Sequence, residues 1–188
     1  MVANAKRQNP TKWCPSGTRT PLPLIPYYSQ MPPIHNGRYA AQIEGDFVVF
    51  LIGMRVNHLF QIHKWLPVAQ AMPRMLKELA QRPELGLLHV QSFRSGRTIL
   101  TTQYWRSMEH LHAYAHARDK QHLPAWAEFN RRVGGNGSVG IFHETYLVSA
   151  GNYEAIYANM PQFGLAVAGR MVPAIGRMQS ANSRLGKE

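Results

Sequence analysis

The sequence predicts an α+β protein built on the ferredoxin-like βαββαβ unit. Three observations lead there. Phe47–Val56 (FVVFLIGMRV) is a β-branched and aromatic run bounded by Glu44-Gly45-Asp46 and Asn57, the mark of a buried strand. Residues 63–81 follow with apolar side chains at helical spacing. Two extended runs then meet at Ser95-Gly96, and a second helical region leads to a last strand, Val139–Val148. The order β, α, β, β, α(α), β puts helices on one face of a four-stranded antiparallel sheet. The other face needs a cover, and a second subunit is the common solution.

Each element has a local reason. Leu66, Ala69, Met72, Met75, Leu76 and Leu79 form the apolar stripe of the first helix. Pro67 suits a first turn, Pro73 a bend or a start, and Pro83 a stop. Residues 88–95 and 97–105 form a hairpin. Ser107 offers an N-cap, and Met108, Leu111, Tyr114 and Ala115 give the next helix its apolar face. Pro124 opens a short helix with Trp126, Phe129 and Val133 on one side, and Gly134-Gly135-Asn136-Gly137 is a loop. In Val139–Val148, Val139, Ile141, His143, Thr145 and Leu147 alternate with Gly140, Phe142, Glu144, Tyr146 and Val148. Both sets are apolar enough to predict burial on two sides, a packed dimer and a closed cavity. Met31, Met54, Met72, Met75, Met108 and Met160 read as gap-filling core.

The division expected is an arm over residues 1–36, a body over 37–168 and a tail over 169–188. Seven of the 13 prolines lie in residues 1–35, which makes that segment extended rather than helical. The stretch from Arg170 is basic and weakly periodic, so little order is expected there. The net charge of +11 suggests nucleic acid at first sight. Residues 39–169, however, hold twelve basic and nine acidic side chains, so most of the excess lies in the flanks. Without a zinc-finger or RNP pattern, no specific nucleic-acid partner is expected. One cysteine, Cys14, excludes an internal disulfide framework and fits a cytoplasmic setting. The longest apolar run, residues 47–54, is far short of the ~20 residues of a spanning helix. No secretory leader and no membrane partner are expected.

Two histidines carry the candidate chemistry. His143 shares a strand face with Ile141 and Leu147. It reads either as a hydrogen-bonded core residue or as a general acid/base. His122 aligns with Trp126 and Phe129 at i+4 and i+7 when the helix is extended backwards. It reads either as a cap or as an axial ligand to haem. Glu144 points away from His143, and Arg55, Arg97 and Arg106 are its candidate partners. His112 and His116 stand at i, i+4 with no evident third metal ligand, and His110 lies beside them. Phe50, Ile52, Trp105, Trp126 and Phe129 are candidate cavity linings.

Several motifs occur in order along the body. They are Phe47–Val56 with Asn57, Trp65-Leu66-Pro67, Met72-Pro73-Arg74-Met75, Tyr104-Trp105-Arg106-Ser107, Pro124-Ala125-Trp126 and His143-Glu144-Thr145-Tyr146. Ile156-Tyr157-Ala158-Asn159-Met160-Pro161 with Gly164-Leu165 completes the set. As a set they resemble the monooxygenase family typified by the antibiotic-biosynthesis monooxygenase of the fumagillin pathway. The resemblance spans residues 37–168 and implies a dimeric α+β barrel, a homodimer and a small-molecule substrate. The layout from Tyr104 to Leu165 is also similar, more distantly, to the haem-containing aldoxime dehydratases. It implies haem b with His122 as the proximal iron ligand, Trp126 and Phe129 beside it, and His143 as the distal acid/base. The separation, 143 − 122 = 21 residues, is in register with that layout. Gln121-His122-Leu123 lacks the flanking proline pattern, and the dehydratases' first half has no counterpart here. The functions implied are a monooxygenase, haem-dependent or cofactor-independent, and a haem lyase acting on an N–O bond. A non-catalytic binding module, either a haem or small-molecule carrier or a basic nucleic-acid-associated dimer, is the third. The first two need both imidazoles to face one apolar chamber.

Overall fold

The computed structural model describes residues 32–117, 127, 131, 135 and 137–186. Seven strands and four α-helices have both ends among them. These are β1 (His35–Gln42), β2 (Phe47–Val56), α1 (Ile62–Gln81), β3 (Leu87–Ser95), β4 (Thr98–Trp105), α2 (Met108–His116) and β5 (Val139–Val148). After them come β6 (Ile156–Met160), α3 (Leu165–Ala168), β7 (Arg170–Pro173) and α4 (Ala181–Arg184). The larger sheet is antiparallel with strand order β3-β4-β2-β5, which is the ferredoxin-like order for β2-α1-β3-β4-α2-β5.

Side-chain alternation along β2 supplies two cores at once. Val48 packs under the helices with Trp105, Met75, Leu79, Leu111 and Tyr114, and Phe50 and Met72 flank them. Met54 and Val56 extend this layer to Val139, against Trp65, Val68 and Ala69 of α1. The Tyr114 hydroxyl donates to Glu78 Oε2 at 3.1 Å and so joins α2 to α1. Burial, then the neighbouring carboxylate, pushes that phenol far above its ordinary value. Ser107 caps α2 by accepting the His110 N–H. α1 runs through both Pro67 and Pro73, so neither proline ends it.

A second sheet, order β6-β1-β7, was not anticipated. β1 pairs with both β6 and β7, which incorporates the stretch expected to be a loose tail. With α3 it packs on the far face of the larger sheet. There Phe47 meets Ala41, Leu165, Ala166 and Ala168. Tyr153 fastens the two units, accepting the Ile43 N–H at 2.8 Å and donating to the Ile43 carbonyl at 3.1 Å. Arg184 pairs with Glu154 and donates to the Met178 and Gln179 carbonyls, holding α4 in place.

The expected two-sided burial of β5 is not met among the described residues. β5 is the edge strand, bonded to β2 alone among the described residues, and residues 142–147 are exposed. Leu147 is 71% exposed. Its apolar composition therefore has no cover among the described residues. Met54 and Met75 are buried and Met72 and Met108 flank the core as expected, whereas Met160 is exposed. Met31 lies outside the described residues.

Gly53 marks the closest approach within the sheet. A Cβ there would stand 2.6 Å from the Phe142 ring and 2.7 Å from the Ile99 carbonyl oxygen. Gly53→Ala should lower stability in urea unfolding by about 1–3 kcal/mol. Phe142→Ala in the same chain should recover part of that loss. An unchanged midpoint in Gly53→Ala would contradict this packing.

Candidate active site

Register alone assembles the floor of the site. Ile52 stands opposite Thr101 on β4 and His143 on β5, and Phe50 stands opposite Gln103 and Thr145. All these side chains lie on the helix-covered face. The His143 and Phe50 rings are 5.7 Å apart and tilted by 40°. His143 is exposed, so the described residues give it one apolar wall rather than an enclosed chamber.

Beside it runs a buried polar row that sequence reasoning missed. Trp105 Nε1–H donates to Gln103 Oε1 at 2.9 Å, and Gln103 Nε2 donates to Thr101 Oγ1 at 3.4 Å. The Thr101 hydroxyl donates to the Ile52 carbonyl at 3.2 Å. Thr101 and Gln103 are only 2% and 4% exposed, so they satisfy one another instead of water. The row ends on the backbone of the residue paired with His143. Trp105 is fully buried in the helix-side core rather than lining open space, whereas Phe50 and Ile52 lie on the floor. His122, Trp126 and Phe129 lie outside the described residues.

The remaining candidates separate from this site. Glu144 is on the opposite sheet face and accepts the Tyr146 hydroxyl at 2.5 Å. That bond pushes the Tyr146 phenol up. The arginines proposed for Glu144 go elsewhere, Arg55 to Thr98 Oγ1 and Arg97 to the Asn57 carbonyl. Arg106 is exposed and bonds through its backbone N–H to Gly86. The His112 and His116 rings are 5.2 Å apart on the exposed face of α2. His110 Nδ1 is engaged by Ser107. Among the described residues, no group of three or more His, Cys, Asp or Glu side chains is placed to hold a metal ion.

A second titratable cluster sits on the far sheet face. His89 stacks on Tyr104, with ring centroids 6.2 Å apart and an interplanar angle of 21°. Burial lowers the imidazole pKa and raises that of Tyr104, with Tyr157 adding to the latter. The Tyr157 hydroxyl accepts the Ala166 N–H at 3.3 Å. Gly164 lies over the cluster with φ +54, and a Cβ there would meet the Tyr104 hydroxyl at 3.0 Å. His89 Nε2 is buried and has no hydrogen-bond partner among the described residues. A shift of strand register between Leu87 and His89 sets which face the ring takes, so alternation counted along the sequence could not place it.

The family model for monooxygenase af470-like proteins matches residues 47–165. That segment contains β2 through β6, the site floor included. The chain belongs to the monooxygenase af470-like family. Monooxygenase af470 of Aspergillus fumigatus is 32% identical to it over 151 residues, covering 70% of this chain and 54% of that protein. This member thus spans about half the length of that curated relative. An aldoxime dehydratase crystallised with butyraldoxime superposes with a TM-score of 0.59 at 14% identity, over 76% of this chain and 43% of that one. It shares the α+β fold. SnoaB, a cofactor-independent oxygenase of Streptomyces nogalater, aligns with a TM-score of 0.39 at 12% identity, over 54% of this chain and 91% of that one.

The depressed pKa of His89 has a definite sign in stability. Below its ordinary 6.5, the unfolded chain takes a proton that the folded chain refuses. Stability in urea should therefore fall with pH from 6.5 down to the lowered folded value. His89→Gln should reduce that slope. An identical slope in the variant would assign the acid sensitivity to other groups.

Proposed function

We propose that this protein is a monooxygenase-type oxidoreductase acting on a small apolar organic substrate. The substrate would lie on the helix-side face of the sheet, with His143 as the proton carrier. Membership of the af470-like family, whose matched segment contains the floor, carries the reading. The geometry supports it. Phe50 and Ile52 provide an apolar surface beside an imidazole, and the Thr101–Gln103–Trp105 row holds that surface rigid. Water in contact with His143 would let the ring discharge its proton after each turnover.

His143 would take a proton from an acidic C–H or phenolic O–H of the substrate, leaving an electron-rich anion beside Phe50. An activated CH2 group can then react with dioxygen without an external reductant. One oxygen atom becomes the carbonyl, the other leaves as water, and the CH2 supplies all the electrons. In the haem-dependent form, His122 would hold haem b, which supplies dioxygen activation when bound. Trp126 and Phe129 would lie beside it. The described residues fit such a group on one side only, through the flat apolar floor of Phe50 and Ile52 and the His143 ring.

The same reading makes the active form a cytoplasmic homodimer. Phe142 and Tyr146, on the far sheet face, are 38% and 51% exposed, and the β5 edge is unpaired among the described residues. A second copy would cover them.

The absorption spectrum of protein expressed with haem supply decides between the two forms. A Soret band lost in His122→Ala supports axial ligation. Colourless protein that consumes dioxygen with a phenolic substrate supports the cofactor-independent form. His143→Ala should lower turnover by about 10²–10⁴-fold in either form. Its melting temperature should barely move, because the side chain is exposed. Full activity in His143→Ala would overturn the assignment.

A further inference from the structure

One pole of the molecule presents large apolar side chains to water. Phe60 is 98% exposed, Ile62 53%, Leu59 43% and Leu66 40%. They occupy the turn between β2 and α1 and the first turns of α1. Trp65 is the side chain here that packs inward, against Met54, Val56 and Val139, and its indole N–H donates to the Leu59 carbonyl at 2.9 Å. The turn is also fastened from below. The Asn57 and His58 N–H groups donate to the Ser138 carbonyl at 3.0 and 3.3 Å, and Asn57 Nδ2 donates to the Gly137 carbonyl at 2.9 Å. The Gln61 N–H donates to the His58 carbonyl at 3.2 Å. The apolar tip is therefore held outward by a built support.

Among the described residues, charge around the tip has one sign. Neither residues 47–77 nor residues 85–108 contain an aspartate or glutamate. Arg55, Arg94 and Arg97 are exposed, and Lys64 is half-buried on α1. The β3–β4 hairpin is tied alongside the turn, through the Val56 N–H to the Arg97 carbonyl at 2.9 Å and Arg97 Nη1 to the Asn57 carbonyl at 3.4 Å.

We propose that this pole docks on an anionic lipid bilayer, with Leu59, Phe60, Ile62 and Leu66 entering the interface and the surrounding cations meeting the headgroups. A convex apolar tip suits a fluid surface better than a rigid groove. A symmetric contact with a second copy would set cation against cation. Among the described residues no helix is long and apolar enough to cross a membrane, and interfacial docking does not require one. The proposal stands independently of the oxygenase reading. If both hold, an apolar substrate would concentrate in the phase on which the enzyme sits.

Co-sedimentation of the full chain with phosphatidylcholine vesicles, with and without phosphatidylglycerol, tests it. Binding should require phosphatidylglycerol and weaken with salt. Leu59→Ser with Phe60→Ser should lower the partition constant about tenfold or more. Lys64→Glu with Arg97→Glu should also lower it. Phe60 makes little contact with the core, so the circular dichroism and melting temperature of Phe60→Ser should stay unchanged, which separates lost docking from lost folding. No sedimentation with anionic vesicles overturns the proposal. So does undiminished binding by the double serine variant, which would assign attachment to the basic flanks. A smaller mass for that variant in size-exclusion chromatography would make the patch a protein contact and overturn it as well.

Discussion

The continuous pairing of β2 with β4 on one side and β5 on the other governs the rest of the molecule. Ten consecutive residues of β2, Phe47 to Val56, are in register with Val148 to Val139, with no bulge between them. Strand periodicity is two, so a slip of one residue would move His143 to the opposite face and put Glu144 beside Phe50. The slip is opposed by burial on both sides. Val48, Met54 and Val56 must face the helices, and Phe47 must face α3 and the second sheet. The position of the candidate proton carrier is thus set by hydrophobic contacts that never touch it. Gly53 adds a steric check, since only a residue without a Cβ leaves room for the Phe142 ring.

The central unit was legible because its signals are local. FVVFLIGMRV, the stripe from Leu66 to Leu79, the Ser95-Gly96 turn and the Ser107 cap each declare an element within a few residues. The second sheet was not legible. β6 has five residues and β7 four, and β1 reaches them across more than a hundred positions, so no short window contains the pairing. For β5, apolar side chains on both faces point to a cover that the described residues of one chain do not supply. In the candidate site, counting put His143 on one face with Ile141 and Leu147, but its place beside Phe50 needed the pairing register of β2 and β5. Thr101 and Gln103 could not be singled out, because TILTTQYW reads as ordinary alternation until three dimensions show those polar groups bonding to one another.

The two sheet faces divide the polar chemistry between them. On the helix side, the buried polar atoms of Thr101, Gln103 and Trp105 are satisfied as a chain, which favours rigidity. On the far side, His89 Nε2 is buried without a partner among the described residues, and two half-buried tyrosines stand near it. An unsatisfied buried nitrogen lowers stability by itself. Phe93, Phe142 and Tyr146 on the same face are partly exposed.

An acid/base at a strand edge meets two demands that conflict in a sealed interior. It needs an apolar neighbour, so that the substrate anion and the imidazolium attract strongly, and it needs water, so that the ring can reset. A central strand would supply the first and hinder the second. β5 offers both, because its inner flank lies against Phe50 and Ile52 while its outer flank is unpaired among the described residues. Whatever occupies the helix-side face then controls the balance. A bound apolar substrate would displace water on the Phe50 side and strengthen the ion pair it creates, while leaving the proton a route out along the edge. The exposure of His143 departs from the closed apolar chamber that the sequence reading requires, and under the proposed function a bound substrate would have to supply that cover.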